Sequence, residues 1–380
     1  MKTPVCEMLG IEFPIFAFTH CRDVVAAVSK AGGFGVLGAT AHSPEDLEID
    51  LKWIEEEIGD APYGVDLLLP QKYVGSEAGG MDKQKLRDMI PQGHRDFLDD
   101  MMQRYDVPER AALDPGTRRS TGSAGGLGIS ETAYMPLIDV SFAHKTKLIA
   151  SALGPPPGWI VERAHKQDIY VAALAGKPEH AVRHKNAGAD IIIAQGAEAG
   201  GHTGQIGTMV LVPEVVDAVA PVPVLAAGGI GTGRQMAASF ALGAAGVWCG
   251  SVWLTTEEAE TNPVVKEKYL AAGSSDTVRS RCFSGKPARQ LRTAWTDEWE
   301  ATDAPETLPM PLQPMLIGPY FERINQASHK EGSGANKLVN YFVGQIVGQM
   351  NQVKSSTQIV FDMIDELIDT TDSVNDIMSE

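Results

Sequence analysis

Short apolar runs alternate with helix-length amphipathic segments along most of the chain, and this alternation is what most constrains its fold. The runs lack the polar alternation of half-exposed strands, as expected when helices cover a parallel sheet. Eight strands, each followed by a helix, is the count of a TIM (β/α)8 barrel. Strand count does not by itself exclude a doubly wound open sheet. We predict strands at residues 14–18, 35–37, 63–69, 147–151, 169–173, 189–194, 223–227 and 245–249.

Two regions depart from the simple repeat. Residues 75–134 form a long insertion after the third strand, with a helix predicted at 83–105 and a mobile loop at 114–128. Beyond residue 272 the chain is rich in proline. We therefore predict a barrel domain over 1–272 and a small helical subdomain with an acidic, frayed tail over 273–380. The predicted helices are 22–31, 44–58, 83–105, 159–166, 178–187, 213–219, 233–242 and 257–272, followed by 335–349 and 357–368.

Composition excludes several functional classes. The net charge of −17 disfavours binding to nucleic acid or to an anionic membrane. The N-terminus lacks the pattern of a signal peptide, and no apolar stretch is long enough to span a bilayer. Four widely spaced cysteines without a CxxC pair fit a reducing cytoplasm and indicate no metal site. We expect a cytoplasmic protein, and a homodimer through the helical subdomain is compatible with the sequence.

Residues 195–204 read QGAEAGGHTG and directly follow a buried strand. Glycines permit backbone angles closed to other residues and let a flat ligand approach the main chain. His202 is the only titratable side chain of this loop besides Glu198, and an imidazole can transfer protons near neutral pH. We predict that His202 is catalytic and that Glu198 orders the loop, with a role for Glu198 as an acid as the weaker alternative.

Glycine-rich segments also follow the seventh and eighth predicted strands. Residues 226–233 read AAGGIGTG and lead into a helix, and residues 249–251 read CGS. Barrel enzymes hold phosphate at these two positions, where backbone amides at a helix start bind anions. Tight turns alone would also explain the glycines, but two such loops at these places favour phosphate binding. The chain has no GxxxxGK[ST] motif, which argues against nucleotide hydrolysis.

Together these segments resemble nitronate monooxygenases, formerly called 2-nitropropane dioxygenases. The matching segments occur in the same order as in the family. They span residues 14 to 289, and a separate segment, GQIVG at 344–348, also matches. The most specific segment, EAGGHTG, is shared with flavin-dependent enoyl-acyl-carrier-protein reductases. The segments are PIF (14–16), AVSKAGGFGVLGA (27–39), PYGVDLLLP (62–70), AQGAEAGGHTG (194–204), PVLAAGGI (223–230), GAAGVWCGSVWL (243–254) and FSGKPAR (283–289).

The resemblance implies an FMN-dependent barrel oxidoreductase with His202 near the flavin N5. In a nitronate oxidase this histidine would deprotonate a nitroalkane or stabilise the nitronate anion. In a reductase it would donate a proton. The positions that would bind the cofactor are Asp66, Gln195, Gly200, Gly201, Gly228, Gly229, Trp248, Cys249, Gly250 and Ser251.

Three features depart from the family pattern. Residues 17–21 read AFTHC instead of an Ala-Pro-Met turn, so His20 is either a second active-site group or a structural histidine. Asp66 replaces the usual asparagine, and a carboxylate beside a flavin is unfavourable unless it is paired, protonated or turned away. Trp248 and Trp253 are bulkier than usual. Trp253 could line the substrate pocket, although core packing is the simpler interpretation.

The substrate is the least constrained feature. The preferred activity is oxidation of alkyl nitronates by O2 to a carbonyl compound and nitrite. The alternatives are an NAD(P)H-dependent reductase or dehydrogenase of an enoyl- or acyl-CoA thioester, and a flavin-binding module without catalysis. Arg110, Arg118 and Arg119 could close on an anionic substrate such as a thioester, although a solvated charged loop is the simpler interpretation.

Overall fold

The computed structural model describes residues 1–69, 83–109 and 131–379, and its centre is a closed barrel. All neighbouring strands are parallel, and the first pairs with the last, Ile15 lying opposite Val247. This confirms the TIM barrel and excludes the open sheet. The barrel strands are β1 Ile15–Thr19, β2 Phe34–Gly38, β3 Tyr63–Leu68, β4 Leu148–Ala152, β5 Tyr170–Ala175, β6 Ile191–Gln195, β8 Val224–Ala227 and β9 Gly246–Cys249.

Three further strands form a separate antiparallel sheet, in the order β10–β11–β7. None of them was predicted. They are β7 Gly201–His202, β10 Thr277–Ser280 and β11 Ala288–Leu291.

Helices surround the barrel. Several begin where local chemistry predicts, as at Ser43, whose hydroxyl accepts the Asp46 N–H ahead of Pro44. The helices are α1 Pro4–Leu9, α2 Arg22–Lys30, α3 Pro44–Ile58, α4 Lys83–Asp88, α5 Gln92–Arg104, α6 Glu131–Ala143, α7 Gly158–His165, α8 Pro178–Asn186, α9 Thr208–Val219, α10 Gly233–Ala241, α11 Pro263–Ala271, α12 Ala294–Trp299, α13 Leu312–Ser328, α14 Ala335–Leu338 and α15 Ser356–Met378. Short 3₁₀ turns occupy Ser251–Thr255, Ser274–Asp276 and Gln345–Gln349.

The barrel interior is filled by side chains, as in other barrels of this size. Phe16, Phe34 and Trp248 lie in one buried cluster with apolar residues of the other strands. Close packing there requires a glycine at position 64, because a Cβ would lie 2.9 Å from Cε1 of Phe34. The opposite face of each strand packs on the surrounding helices.

Several helix predictions need correction. The predicted helix 83–105 is two helices separated around Pro91, which has no N–H for a helix interior. The predicted helix 335–349 is a short helix and a 3₁₀ turn joined by an extended segment, in which Phe342 bridges to Gln290. The helix predicted at 357–368 continues to Met378 instead of ending in a frayed tail. The helix predicted at 213–219 starts at Thr208, and α12 and α13 were not predicted.

The segment that follows β9 packs away from the barrel, and the last helix of the chain packs on the barrel again. Helix α11, predicted at 257–272 as the eighth barrel helix, contributes Val265 and Tyr269 to a second cluster, which also contains Trp295, Phe321 and Leu98 of the insertion. We call this the C-terminal cluster. Helix α15 instead packs with α2 and α10, so the last helix of the chain covers β9 and β1.

Packing of α15 on α10 is close. A Cβ on Gly233 would overlap the backbone of Met363 and Leu367. The domain boundary at residue 272 stays a prediction. The loop predicted at 114–128 lies outside the described residues, as do Arg110, Arg118 and Arg119. In the described ranges, no helix has the length and apolar character needed to cross a bilayer.

Candidate active site

His202 lies in a strand and not on a free loop. It pairs with Ala288 of β11, while Gly201 pairs with Arg289. Gly201 enters the strand at φ +72°, a left-handed conformation that glycine adopts without strain. The imidazole is therefore fixed by a sheet built from the C-terminal part of the chain.

Ser284 holds the imidazole in place. Its hydroxyl lies 2.7 Å from Nε2 of His202 and 3.3 Å from both the backbone N and O of Lys286. Burial lowers the pKa of His202 to about 4, and the positive charge of Lys286 acts in the same direction. At neutral pH the ring is therefore uncharged, so it can accept a proton or donate a hydrogen bond.

Two arginines of the same sheet hold the backbone on either side of His202. Arg289 donates its Nε–H to the carbonyl of Ala197 at 3.0 Å. Arg279 donates to the carbonyl of Thr203 at 3.2 Å. These bonds join the loop after β6 to strands that lie more than 70 residues later in the chain.

The loops after β8 and β9 are neighbours because these two strands pair in the barrel. Gly228 and Gly229 have φ values of +109° and +71°, and a Cβ on Gly228 would lie 2.8 Å from Oγ1 of Thr208. Among the described residues, the N–H groups of Gly229 and Gly250 have no acceptor. Free backbone amides of this kind suit a bound anion.

Glu198 orders this region. Its carboxylate accepts the Thr208 N–H at 3.0 Å and the Thr208 hydroxyl at 2.9 Å. The same hydroxyl lies 2.9 Å from the carbonyl of Gly228. The contacts match the structural role expected for this carboxylate.

The C-terminal turn that starts at Gly344 packs against the same loop. The Gly344 N–H donates to Oγ of Ser251 at 2.8 Å, and the Gln345 N–H donates to the carbonyl of Glu198 at 2.9 Å. A Cβ on Gly200 would lie 2.9 Å from the Gly344 nitrogen. Glycine is required on both sides because the two backbones touch.

Two polar residues occupy inner-face positions of the barrel strands. Gln195 ends β6 on the face that carries Ile193, while Asp66 lies between the outward-facing Val65 and Leu67 of β3. Asp66 is 4% exposed and forms no ion pair within the described part of the chain. Burial raises the pKa of its carboxyl group well above the ordinary value. A neutral carboxylic acid can donate a hydrogen bond, as the usual asparagine does.

His20 lies just past the end of β1. Its Nδ1 is 2.9 Å from the carbonyl of Gly38, and its ring meets the ring of Phe18 edge-on at 5.3 Å. Burial lowers the pKa of His20, the contact with Gly38 opposes this, and nearby His42 adds to the lowering. The residue is at the end of the barrel where active sites form. Its role as a second active-site group stays a prediction.

Trp248, Cys249 and Trp253 lie in two different clusters of the barrel. Trp248 lies inside the barrel and stacks on Phe16 and Phe18, with centroids 6.1 Å apart in both pairs. Cys249 packs in the outer cluster, where burial raises the pKa of its thiol to about 12. Trp253 lies in the same outer cluster, 1% exposed, and donates its indole N–H to the Cys249 carbonyl at 2.8 Å. These contacts are those of a core residue, and a place for Trp253 in the substrate pocket stays a prediction.

Sequence reasoning gave no role to Ser284, Lys286, Arg279 or Arg289. Ser284, Lys286 and Arg289 belong to the segment FSGKPAR (283–289), whose last two residues begin strand β11. What the sequence does not show is that this segment pairs with β7, which places Ser284 beside a histidine 82 residues earlier.

Comparison with known proteins places the chain in a family. The family model described as nitronate monooxygenase matches residues 2–366. The chain belongs to the nitronate monooxygenase family. A Mycobacterium tuberculosis protein named "Putative monooxygenase Rv1533" is 64% identical over 370 residues, which cover 97% of each chain. A Staphylococcus haemolyticus protein named "Probable nitronate monooxygenase" is 28% identical and covers 93% of this chain and 98% of its own.

Solved structures agree with this assignment. FabK from Thermotoga maritima superposes with a TM-score of 0.73 at 27% identity, covering 99% of each chain. Nitroalkane oxidase from Streptomyces ansochromogenes has a TM-score of 0.77 at 24% identity, covering 97% of this chain and 99% of its own, which supports the fold. This member of the family is therefore a flavin-dependent oxidoreductase, which implies a small-molecule substrate and dioxygen.

The geometry fits a flavin. The free amides of Gly229 and Gly250 suit a phosphate group, and Gly201 in the loop after β6 has no atom within 4 Å of the place where a Cβ would lie, which leaves room for a flat ring there. Gln195 and Asp66 supply hydrogen-bonding groups on the inner face of the barrel.

Proposed function

We propose that the protein is an FMN-dependent nitronate monooxygenase, which oxidises alkyl nitronates with dioxygen to a carbonyl compound and nitrite. In the net reaction, two nitronate anions and one dioxygen give two carbonyl compounds and two nitrite ions. The observation that carries the proposal is the neutral His202, held by Ser284 at 2.7 Å on a sheet joined to the glycine loops.

The assignment of FMN as the cofactor is supported by the backbone amides of Gly229 and Gly250, which have no acceptor among the described residues. Gly228, Gly229, Gly250 and Ser251 would hold the phosphate and ribityl groups of FMN. Asp66, Gln195, Gly200 and Gly201 would contact the ring system, while Trp248 supports the site from inside the barrel. When bound, FMN supplies electron transfer between substrate and dioxygen.

His202 would handle the proton. Nε2 faces Ser284, so Nδ1 is the ring nitrogen left for substrate, since no described residue bonds to it. As a neutral base it would take the proton from the carbon next to the nitro group. With a nitronate it would donate a hydrogen bond to an anionic oxygen instead.

A second candidate shares the same site. FabK has 27% identity over nearly the whole chain, so an NAD(P)H-dependent reductase acting on an enoyl- or acyl-CoA thioester is the alternative. In that reaction, His202 would donate a proton to the substrate. A flavin-binding module without catalysis would use the glycine loops but would not need the His202–Ser284 contact.

Anaerobic mixing separates these functions. The purified yellow protein is mixed with ethyl nitronate or with NADH and NADPH, and flavin absorbance is followed. The proposal expects bleaching by the nitronate and none by the nicotinamides. Bleaching only by a nicotinamide would establish the reductase, and no bleaching by any of them would favour the non-catalytic module.

A further inference from the structure

Three cationic side chains belong to the sheet that carries His202 or to the turn that leads into it, and none of them has an acidic partner among the described residues. Arg279, Lys286 and Arg289 form no ion pair within the ranges that the structure describes, although the chain has 49 acidic and 32 basic residues. An excess of acid elsewhere makes this local excess of positive charge unusual.

The guanidinium groups of Arg279 and Arg289 already donate hydrogen bonds to other parts of the chain. Arg279 donates to the Thr203 carbonyl, and Arg289 donates to the Ala197 carbonyl and the Thr277 hydroxyl. Glu198 acts on Arg289 from a distance, but its own hydrogen bonds go to Thr208. Both guanidinium groups therefore hold backbone in place.

Lys286 differs from both arginines. Its backbone N and O contact Ser284, but its ammonium group has no acceptor among the described residues. The side chain is half-buried, and burial lowers the pKa of the ammonium group. Its positive charge reaches His202, whose pKa it lowers. A partly desolvated cation without a partner costs free energy that a bound anion would recover.

We propose that Lys286 binds an anionic oxygen of the substrate beside His202, so that the site selects the nitronate anion over the neutral nitroalkane. The inference rests on the proposed function and assigns charge recognition to a residue separate from the proton-handling histidine. The Ser284 hydroxyl contacts both the imidazole of His202 and the backbone of Lys286, so the two residues lie side by side.

Nitrite is a suitable probe because it carries the same charged NO2 group and is not consumed. Its binding to the flavin-loaded protein is followed by the change in flavin absorbance, for wild type, Lys286→Met and Lys286→Arg. We expect Lys286→Met to weaken nitrite binding about tenfold or more, the scale of one charge-assisted hydrogen bond, and Lys286→Arg to retain most of it. Arg281→Met removes an exposed cation five positions earlier and should leave binding unchanged.

Activity gives the second measurement. For Lys286→Met, kcat/KM should fall at least about tenfold more for ethyl nitronate than for nitroethane. Nitrite binding that is absent in wild type, or equal in Lys286→Met, would overturn the inference. Lysine-dependent nitrite binding in a protein that never oxidises nitronate would keep the anion site and reject the proposed function.

Discussion

His202 and Lys286 carry different charges at neutral pH although one hydroxyl contacts both residues. Burial and the positive charge of Lys286 lower the pKa of the imidazole to about 4, while burial alone lowers the pKa of the Lys286 ammonium group. Such a pair can hold an anion and move a proton with two separate groups. The division of roles follows from the turn at Ser284, which no local sequence pattern indicates.

The low pKa of His202 makes a prediction about pH. A base works only while unprotonated, so kcat/KM for neutral nitroethane should stay flat from about pH 8 down to about pH 5.5 and fall only towards pH 4. Steady-state rates across this range check it. An acid limb centred near the ordinary histidine value of 6.5 would show that burial does not control this group.

Asp66 makes a prediction about stability. Its pKa is raised in the folded chain and has its ordinary value, near 3.9, in the unfolded chain. Between these values only the folded state retains the proton, so the free energy of unfolding falls as pH rises. Asp66→Asn removes that dependence, and its Tm advantage over wild type should grow by about 2 °C or more from pH 5 to pH 8.

Asp217→Asn, at an exposed position of α9, is the matched control and should shift Tm by less than about 1 °C at both pH values. An advantage of Asp66→Asn that shrinks with rising pH would mean that Asp66 is ionised in the folded protein.

Pairing between strands that are far apart in the sequence determines where the loop after β6 lies. Strand β7 is only two residues long and pairs with β11, while the turn at Gly344 packs on the same loop. The loop after β6 is thus held from two sides by the C-terminal part of the chain.

Gly344→Ala tests this packing. The added Cβ would lie 2.7 Å from the Glu198 carbonyl and 2.9 Å from the Gly200 nitrogen, both of them backbone atoms. We expect Tm to fall by several degrees, consistent with about 1–3 kcal/mol of overpacking, and FMN affinity to fall with it. Thermal unfolding and fluorescence titration of FMN measure the two effects.

Gly93→Ala is the control, since its added Cβ meets no atom within 4 Å on the exposed surface of α5. It should keep or raise Tm because alanine favours a helix. An equal fall in Tm for Gly93→Ala and Gly344→Ala would show that the backbone contact at Gly344 has no special effect on stability.

Sequence patterns located the barrel well but the site only in part. All eight barrel strands were predicted because buried parallel strands produce continuous apolar runs that local composition records. Position 202 and the glycines after β6, β8 and β9 were visible for the same local reason. Ser284 and Lys286 were not, because only tertiary pairing brings them to His202. For Trp253 the sequence left core packing and a pocket position open, and the burial of its side chain in the outer cluster agrees with core packing.

The whole molecule is closed by its last helix. Four residues of α15 pack in the cluster around α2 and α10: Ile359, Val360, Met363 and Leu367. At about 1.5–3 kcal/mol for each buried side chain, this contact is comparable to the total stability of a typical domain. The eighth barrel unit is therefore completed about 100 residues after its strand.

Two truncations test this closure. Removing 356–380 should abolish cooperative unfolding or leave the protein insoluble, because the outer cluster is exposed. Removing only 371–380, whose described residues are all exposed, should change Tm by less than about 3 °C. Circular dichroism with heating checks both, and a stable, cooperative 1–355 fragment would contradict the account.

The most direct test of the central claim measures nitrite release and oxygen uptake from ethyl nitronate and nitroethane, with His202→Ala and Ser284→Ala at matched FMN content. The account predicts that wild type releases nitrite from both. It predicts that His202→Ala retains FMN but loses at least about 100-fold in kcat on nitroethane, and that Ser284→Ala loses less. Wild type that releases no nitrite, or His202→Ala with unchanged turnover of nitroethane, would contradict it.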